Sequence, residues 1–361
     1  MIPIGKPLIG DEEKKAVMDV LDSGMIASGS VVHAFENEFA EYIGAKACIA
    51  TTSGTTALEV GLRALGIGPG DKVLTTPFSF IASTNSILYT GADAVFADID
   101  PRTFNLSAEA VEKALQENPG IKALQIVHLF GQACNMDEIM PLVEKYHLIL
   151  IEDCAQSHGA QWKGKAVGTF GSLGCFSFYP TKNMTTGEGG AVVTSDPELE
   201  KQCRLLINHG MEVRYYHDQI GYNYRMTNIA AAIGRCQLKK LDAFNQMRIQ
   251  TAAYFSQNMR NPLITPPFVQ DGAKHIFHQY TLKVADGRRD DFVRHLETRN
   301  IGYGVFYPLT IPEQKCYADR GFPARWQAAD DVKQQVVSLP VHPALSQADK
   351  DAIVEAVNQF R

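Results

Sequence analysis

Short apolar runs alternate with segments of helical periodicity over the first 151 residues, and no other feature of the sequence constrains the fold as strongly. The strand-like runs lie at 47–49, 73–76, 94–97, 124–128 and 148–151, and the helical patterns lie at 82–89, 108–116 and 136–146, with a further one beginning at 55. Parallel strands must be joined by long crossover connections, which are usually helices. The alternation therefore predicts an α/β fold in which helices cover both faces of a mostly parallel sheet.

The rest of the chain adds elements on both sides of this region. Further helical patterns lie at 11–22, 31–42 and about 227–251, and strand-like pieces lie at 175–179 and 190–194. After the proline-rich stretch 262–267 the signals become shorter, with a strand pattern at 280–284 and a helical one at 292–297. The 361 residues suffice for more than one domain. We predict a large domain of residues 12–250 and a smaller C-terminal domain of residues 251–361, which residues 1–11 join.

Charge and cysteine content narrow the class of protein. The 34 basic and 40 acidic residues give a net charge of -6, so there is no basic excess for a nucleic-acid or anionic-membrane surface. The seven cysteines have no C-x-x-C spacing and no apolar signal segment opens the chain, which predicts reduced thiols in a cytoplasmic protein. The uncharged run 73–92 is rich in serine and threonine, so we expect no membrane span.

The ten histidines show no metal-binding spacing, so no metal site is expected. His275 and His278 form an H-x-x-H pair, but the surrounding run HIFHQYTLKV, residues 275–284, has the pattern of a strand with packed aromatic side chains. Phosphate-loop, dinucleotide-binding and serine-hydrolase motifs are also absent from the sequence. The chemistry must therefore be sought in less regular clusters of polar residues.

The first such cluster is a hydroxyl-rich turn, TTSGTTAL at 51–58, between a predicted strand and a predicted helix. Free N–H groups at a helix N-terminus, together with Gly54 and hydroxyl donors such as Thr55, can bind an anion. Capping of the helix by Ser53 or Thr55 explains the same residues. The segment alone leaves both interpretations open.

A second cluster follows directly on the apolar run 148–151, where the chain continues as EDCAQSH. Ligands of parallel α/β sheets bind just beyond the carboxyl ends of the strands. Because strand side chains alternate between the two faces, one of Glu152 and Asp153 should face such a site while the other points away. An aspartate that caps a helix would give the same sequence pattern.

Lys182 is the candidate nucleophile of a third cluster, FSFYPTKNMTTGEGG at 176–190. It is the only cation between Lys165 and Lys201 and lies among small and hydroxyl side chains. Partial burial disfavours the ammonium form and yields the neutral amine that a Schiff base requires. A solvated surface lysine is the alternative. The combination of an anion-binding turn, a strand-end aspartate and this lysine favours the catalytic interpretation.

With these motifs in place, the chain resembles the DegT/DnrJ/EryC1/StrS family of pyridoxal-phosphate-dependent sugar aminotransferases. The similarity covers nearly the whole sequence and rests on the motifs PLIG, TTSGTTAL, GIGPGDKVLTTPFSFIAS, VFADID, EDCAQSHGA, FSFYPTKNMTTGEGG, GYNYRMTNI and SLPVHPAL. The resemblance implies the fold type I of these transferases. In that fold a large domain carries a mostly parallel, mixed seven-stranded sheet between helices, and a smaller C-terminal α+β domain follows.

The resemblance also implies a role for each site residue. Lys182 would form the Schiff base with pyridoxal 5'-phosphate, and Asp153 would keep the pyridine nitrogen protonated. The other cofactor-binding residues would be Gly54, Thr55 and Ser177 at the phosphate, Phe80 stacked on the ring, Gln156 on the ring-hydroxyl side, and Asn223 at the phosphate of the neighbouring subunit. The last role implies a homodimer with active sites shared across its interface. As alternatives, Phe80 would be a core residue and Asn223 a turn residue.

The activity that the resemblance implies is the transfer of an amino group from L-glutamate to a nucleotide-linked keto-hexose, which makes an amino sugar for surface polysaccharide. A free keto-sugar acid as acceptor, or a cofactor-binding regulator without turnover, would be alternatives. One segment departs from the family pattern: where many relatives carry YP-x-P-LHLQ, this chain reads YPLTIPEQ at 307–314, with Pro312 at the position expected for histidine. In the family this segment lies toward the sugar-binding side, so the resemblance does not extend to the identity of the sugar.

Overall fold

The computed structural model describes residues 1–323 and 325–361, and its central element is a seven-stranded sheet. In spatial order the strands are β1-β9-β8-β5-β4-β2-β3. Their bounds are β1 Ala47–Thr51, β2 Lys72–Thr75, β3 Asp93–Phe96, β4 Ile121–Val127, β5 Ile149–Asp153, β8 Leu173–Ser177 and β9 Gly190–Thr194. Strand β9 pairs antiparallel with both of its neighbours, whereas the pairs from β8 to β3 are parallel. The sheet is therefore mixed and mostly parallel, as predicted.

Buried apolar runs form the central strands because both faces of the sheet are covered. The helices that precede and cover it are α1 Asp11–Ser23, α2 Ser30–Ile43, α3 Gly54–Ala64, α4 Ala82–Tyr89, α5 Ala108–Glu117, α6 Met136–Lys145, α7 Pro197–Ile207 and α8 Asn228–Asn258. Apolar side chains of α2, α5, α6 and α8 pack in one core cluster, and those of α3, α4 and α7 pack in another. The two clusters lie on opposite faces of the sheet.

The C-terminal part of the chain forms a separate core around a small antiparallel sheet. Its strands are β10 Ile264–Thr265, β12 Tyr280–Val284 and β13 Val336–Leu339, and its helices are α9 Arg289–Thr298, α10 Gln327–Lys333 and α11 Gln347–Gln359. A second small sheet joins β11 Ala273–Lys274 to β6 Gln161–Trp162 and β7 Lys165–Ala166. The last turns of α8 belong to this core, since Ala252 and Phe255 are buried in it. The predicted domain division between residues 250 and 251 falls inside α8, and it stays a prediction.

One predicted strand is wrong over half its length. Residues 280–284 form β12, but residues 275–279 do not form a strand. Phe277 has a positive φ of 46°, and the backbone N–H groups of Ile276 and Gln279 donate to carbonyls of the 129–131 turn. These hydrogen bonds pull the segment away from the sheet and against the carboxyl ends of the central strands.

Two further findings concern the whole described chain. All seven cysteines are free thiols, and only Cys236 and Cys316 are not buried. Among the described residues, none of the helices combines the length with the apolar character that crossing a bilayer requires.

Candidate active site

A cavity of about 640 Å³ opens where three parallel strands end. Strands β4, β5 and β8 end at Val127, Asp153 and Ser177, and each of these terminal residues lines the cavity. The carboxyl ends of parallel strands are the usual place for a ligand in an α/β sheet. Of the predicted site residues, those at the cavity wall are Gly54, Thr55, Phe80, Asp153, Gln156, Ser177 and Lys182.

The N-terminus of α3 forms one wall of the cavity. Ser53 caps the helix, since its Oγ accepts the N–H of Thr56 at 3.2 Å. Gly54 and Thr55 occupy the first helical positions, whose N–H groups have no partner within a helix. A Cβ atom on Gly54 would lie 2.6 Å from Cβ of Ser177, so only glycine permits this close approach. Capping and anion binding are thus compatible, because different residues of the turn serve them.

Asp153 is the strand-end carboxylate that faces the cavity. Its Oδ2 accepts the hydroxyl of Ser83 at 2.8 Å and its Oδ1 accepts the N–H of Ala155 at 3.1 Å. Burial raises the pKa of Asp153 above its usual value, and the two hydrogen bonds and the charge of Lys182 oppose that shift. The carboxylate is fixed in position, with an ammonium close enough to favour its charged form.

Glu152 points to the opposite face of β5 and holds a loop. Its carboxylate accepts N–H groups of Gly168, Phe170 and Gly171 at 2.7–2.8 Å. Nε2 of His128 lies 2.9 Å from the same carboxylate, and Nδ1 of His128 accepts the N–H of Cys134, so the ring is neutral and donates through Nε2. His128, Glu152 and Cys154 are close enough to share a metal ion. Since these protein groups already occupy the ring and the carboxylate, we assign the cluster a structural role.

Lys182 extends into the cavity from the loop between β8 and β9, and its side chain is partly buried. Burial lowers the pKa of its amine to about 8, although the charge of Asp153 acts in the opposite direction. The next residue anchors the loop, because Asn183 donates to Oδ1 of Asn245 at 2.7 Å and bonds to the ring of His278. A rigid loop therefore presents an amine of unusually low basicity.

Gln156 and Phe80 line other parts of the cavity. Gln156 is held at both ends of its amide: Oε1 accepts the N–H of Phe130 at 2.9 Å, and Nε2 donates to the hydroxyl of Tyr307 at 3.1 Å. The side chain of Phe80 is 56% exposed and tilts toward the Tyr307 ring, with 6.5 Å between ring centroids. This exposure excludes the alternative that Phe80 is a core residue.

Asn223 does not line the cavity of its own chain. Its side chain is exposed, and its backbone forms an isolated bridge to Asn208. The segment around it carries exposed apolar side chains, namely Val213, Tyr215, Tyr216 and Ile220. Within one chain, the structure therefore leaves both the turn-residue interpretation and the cross-subunit interpretation of Asn223 open.

Several residues at the cavity were not predicted from the sequence. Ser83 and Tyr307 touch predicted site residues, and Arg248 and His278 line the wall near the Lys182 loop. No local spacing joins these residues, since Tyr307 follows its partner Gln156 by 151 positions. In the segment that departs from the family pattern, Tyr307 lines the cavity, whereas the lining does not include Pro312.

These features fit pyridoxal phosphate. The N-terminus of α3 and Ser177 offer N–H and hydroxyl donors to a phosphate, Asp153 offers a carboxylate to a ring nitrogen, and Lys182 offers an amine of low pKa to an aldehyde. On a mixed seven-stranded α/β sheet with a C-terminal α+β unit, this set defines the pyridoxal-phosphate-dependent transferases of fold type I.

Comparison with known proteins places the chain within that class. Residues 7–358 match the DegT/DnrJ/EryC1/StrS aminotransferase family, and the chain belongs to this family. It is 38% identical to the GDP-perosamine synthase of Caulobacter vibrioides, over 99% of this chain and 98% of that protein. It is 36% identical to a protein of Geobacillus stearothermophilus named pleiotropic regulatory protein, over 97% and 95% of the two chains.

A solved structure supports the same placement. DesV of S. venezuelae, in complex with a ketimine intermediate, superposes with a TM-score of 0.93 and 35% identity, covering 97% of this chain and 94% of that one. The protein is thus a sugar aminotransferase that uses pyridoxal phosphate, and the predicted family, fold type and cofactor are confirmed.

Proposed function

We propose that this aminotransferase moves an amino group from L-glutamate to a nucleotide-linked keto-hexose and so makes an amino sugar for surface polysaccharide. The observation that carries the proposal is the pairing of Lys182 with Asp153 at the end of β5, in a cavity with room for a cofactor and a sugar. The relative from Caulobacter vibrioides, named for a GDP-linked sugar, supports a nucleotide on the acceptor.

We propose one orientation for the cofactor in this cavity. We assign its phosphate to Gly54, Thr55 and Ser177, its ring nitrogen to Asp153 and its ring hydroxyl side to Gln156. Phe80 lies at the mouth, where an exposed aromatic ring can stack on the cofactor. When bound, pyridoxal phosphate supplies the aldehyde that exchanges amines and the ring that takes up electrons from the substrate carbon.

The protein's own residues then move the protons. The amine of Lys182 would hold the aldehyde of the cofactor and, when free and neutral, would serve as the base for the α-carbon proton of the amino acid. With a pKa of about 8, roughly one tenth of the amine is unprotonated at pH 7, far more than at the usual lysine pKa of 10.5. The carboxylate of Asp153 holds a proton at the ring nitrogen, and Ser83 and the N–H of Ala155 fix its two oxygens for that task.

We further propose a homodimer in which Asn223 completes the partner's site. Asn223 is exposed and lies beside a segment whose apolar side chains Val213, Tyr215 and Ile220 are more than half exposed. Large exposed apolar groups in a contiguous segment are typical of protein interfaces. We therefore assign Asn223 to a ligand that is bound in the partner subunit.

The test separates the two half-reactions. The holoenzyme is first converted to its pyridoxamine form with L-glutamate. This form of the enzyme is then mixed with a panel of GDP-, UDP- and dTDP-linked keto-hexoses. We expect one nucleotide-linked keto-hexose to restore the pyridoxal absorption band and to yield an amino sugar. A panel that leaves the pyridoxamine form unchanged, while a free keto-sugar acid restores it, would overturn the proposal in favour of that acceptor.

The Geobacillus stearothermophilus relative is named pleiotropic regulatory protein, and the first half-reaction alone distinguishes an aminotransferase from a regulator that binds the cofactor without turnover. A protein that only binds the cofactor would keep the pyridoxal absorption band unchanged after L-glutamate is added. We expect the band to disappear, because Lys182 and Asp153 supply both the base and the ring-nitrogen partner.

A further inference from the structure

Arg248 is a buried cation in the wall of the cavity. It lies on α8, its side chain is 6% exposed, and it lines the cavity with Lys182 and His278. Its Nη1 donates to the carbonyl oxygens of Phe277 and His278, at 3.4 and 3.2 Å. Its Nε is buried and has no hydrogen-bond partner among the described residues. One N–H group of the guanidinium is therefore unused, in a residue that lines the cavity.

No acidic side chain in the described part of the chain balances this charge. Burial alone lowers the pKa of Arg248 to about 10, so the group stays charged at neutral pH. The titratable side chains that respond to its charge are His278 and His342, and neither carries a negative charge. The acidic residues of the cavity lining are Asp153 and Glu188, and neither forms an ion pair or hydrogen bond with Arg248. An unpaired buried charge is costly, and such groups are normally paired or hydrogen-bonded. The partner is thus expected to enter with a ligand.

Hydrogen bonds connect Arg248 through His278 to the loop that carries Lys182. His278 accepts from Arg248 through its carbonyl oxygen and contacts Oδ1 of Asn183 through its ring at 3.1 Å. Asn183 is the residue next to Lys182. The cofactor phosphate has its own donors at the other wall, on the N-terminus of α3, and the carboxylate of Asp153 is engaged by Ser83 and Ala155. Arg248 is therefore the cation of the cavity wall that these assignments leave for a substrate.

We propose that Arg248 forms a carboxylate-binding subsite for the substrates of this enzyme, with the backbone of residues 277–278 fixing its guanidinium. The planar fork of an arginine suits a carboxylate, which it can bind through two N–H groups. This inference rests on the proposed function, which supplies two sources of a carboxylate: the amino donor and a keto-sugar acid as acceptor.

The first test measures binding without chemistry. The holoenzyme is titrated by calorimetry with glutarate, a dicarboxylate that has no amine to react, and with glutaramide, its uncharged analogue. The variants are Arg248→Met, Arg248→Lys and the matched control Arg235→Met, which removes an arginine of the same helix that pairs with Glu38 at the surface. We expect glutarate binding to weaken on the order of 100-fold in Arg248→Met and to stay unchanged in Arg235→Met. Glutaramide should bind all four proteins equally weakly.

Arg248→Lys keeps the charge but loses the fork, so we expect a loss on the order of 10-fold. This variant carries the test if Arg248→Met fails to fold. Equal glutarate affinity in the wild type, Arg248→Met and Arg248→Lys, or no glutarate binding by the wild type, would overturn the subsite.

The second test identifies the source of the carboxylate in single half-reactions. If the donor supplies it, Arg248→Met or Arg248→Lys raises the L-glutamate concentration needed for half-maximal conversion and leaves the reaction of the pyridoxamine form with a neutral keto-hexose unchanged. If the acceptor supplies it, only the reaction with a keto-sugar acid weakens. If the wild type binds glutarate through Arg248 but aminates no keto-hexose, the subsite proposal stands and the proposed acceptor is wrong.

Discussion

Two opposing effects act on the amine of Lys182, and their balance sets its chemistry. Burial disfavours the ammonium form, whereas the nearby carboxylate of Asp153 stabilises it. Burial dominates, and the pKa falls from the usual 10.5 to about 8. Asp153 experiences the reciprocal situation, since burial raises its pKa and Lys182 lowers it. The lowered pKa makes the neutral amine of Lys182 more accessible, while hydrogen bonds and the Lys182 charge stabilise the carboxylate of Asp153.

This balance predicts how the cofactor-free protein takes up pyridoxal phosphate as pH changes. Only the neutral amine attacks the aldehyde, and a lowered pKa means that this form is reached at lower pH. The attachment rate should therefore rise about tenfold per pH unit up to about 8 and then level off. Stopped-flow absorption between pH 6.5 and 10 measures the rate.

Lys182→Ala is the control for this measurement. It should still bind the cofactor, but borohydride reduction and dialysis should leave none attached, and turnover should be abolished. A wild-type rate that keeps rising beyond pH 9.5, with a midpoint near the ordinary lysine value, would contradict the prediction.

At the scale of single residues, the sequence predicted the site residues that belong to a motif. The alternation of strand side chains predicts that Glu152 and Asp153 face opposite ways, but it cannot tell which of them meets the ligand. Arg248 and Tyr307 had no such signal. Their partners are backbone carbonyls or residues more than a hundred positions away, brought together by tertiary packing. No sequence motif, for example, identifies the carbonyl oxygen of His278 as the acceptor for Arg248.

At the scale of elements, the loop that leads into β8 depends on one carboxylate. Oε1 of Glu152 accepts the N–H groups of Phe170 and Gly171, and Oε2 accepts those of Gly168 and the His128 ring. Since β8 ends at the cavity residue Ser177, the same contacts fix the strand that carries one of the residues we assign to the phosphate. Glu152, on the face of β5 that points away from the cavity, thereby helps to position Ser177 at the cavity.

Glu152→Gln should therefore destabilise the fold. The amide NH₂ would face at least one N–H group and leave it unsatisfied in a buried site, which costs about 3 kcal/mol. Urea denaturation at pH 7.5 measures the free energy of unfolding. The matched control Glu144→Gln alters an exposed carboxylate on α6 and should change it by less than about 0.5 kcal/mol. Equal stability of the two variants would show that the loop is held by other contacts.

Element type followed from periodicity more reliably than element ends did. Helix α4 and strand β9 have the predicted bounds, because turn residues mark both ends of each pattern. The long helix was predicted to stop near Thr251 but continues to Asn258, since Phe255 packs into the C-terminal core. The run 275–284, with its packed aromatic side chains, indicated a strand that includes 275–279. The backbone there bonds instead to the 129–131 turn, a distant contact that no local pattern encodes.

At the scale of the whole molecule, the site of one chain lacks a predicted member. Asn223 lies outside its own cavity, on an exposed surface next to Tyr215, Tyr216 and Ile220. If two chains pair through this surface, each can supply its Asn223 to the phosphate wall of the other. Closed two-fold symmetry makes the two exchanges equivalent. One of the eight predicted site residues would then come from the partner subunit, whereas the residues that move protons belong to one chain.

Mixing two damaged subunits tests this arrangement. Lys182→Ala destroys one chain's amine, and Asn223→Ala weakens cofactor retention in the partner's site, so each variant alone should be poorly active at limiting cofactor. A hybrid dimer contains one intact site, formed by Lys182 of one chain and Asn223 of the other. Equal mixing under mild denaturation and refolding should thus restore about one quarter of wild-type activity. A mixture of Lys182→Ala with Asp153→Asn should restore none, because both residues line the cavity of the same chain. If the first mixture also stays inactive while hybrid dimers are present, Asn223 serves its own chain as a turn residue.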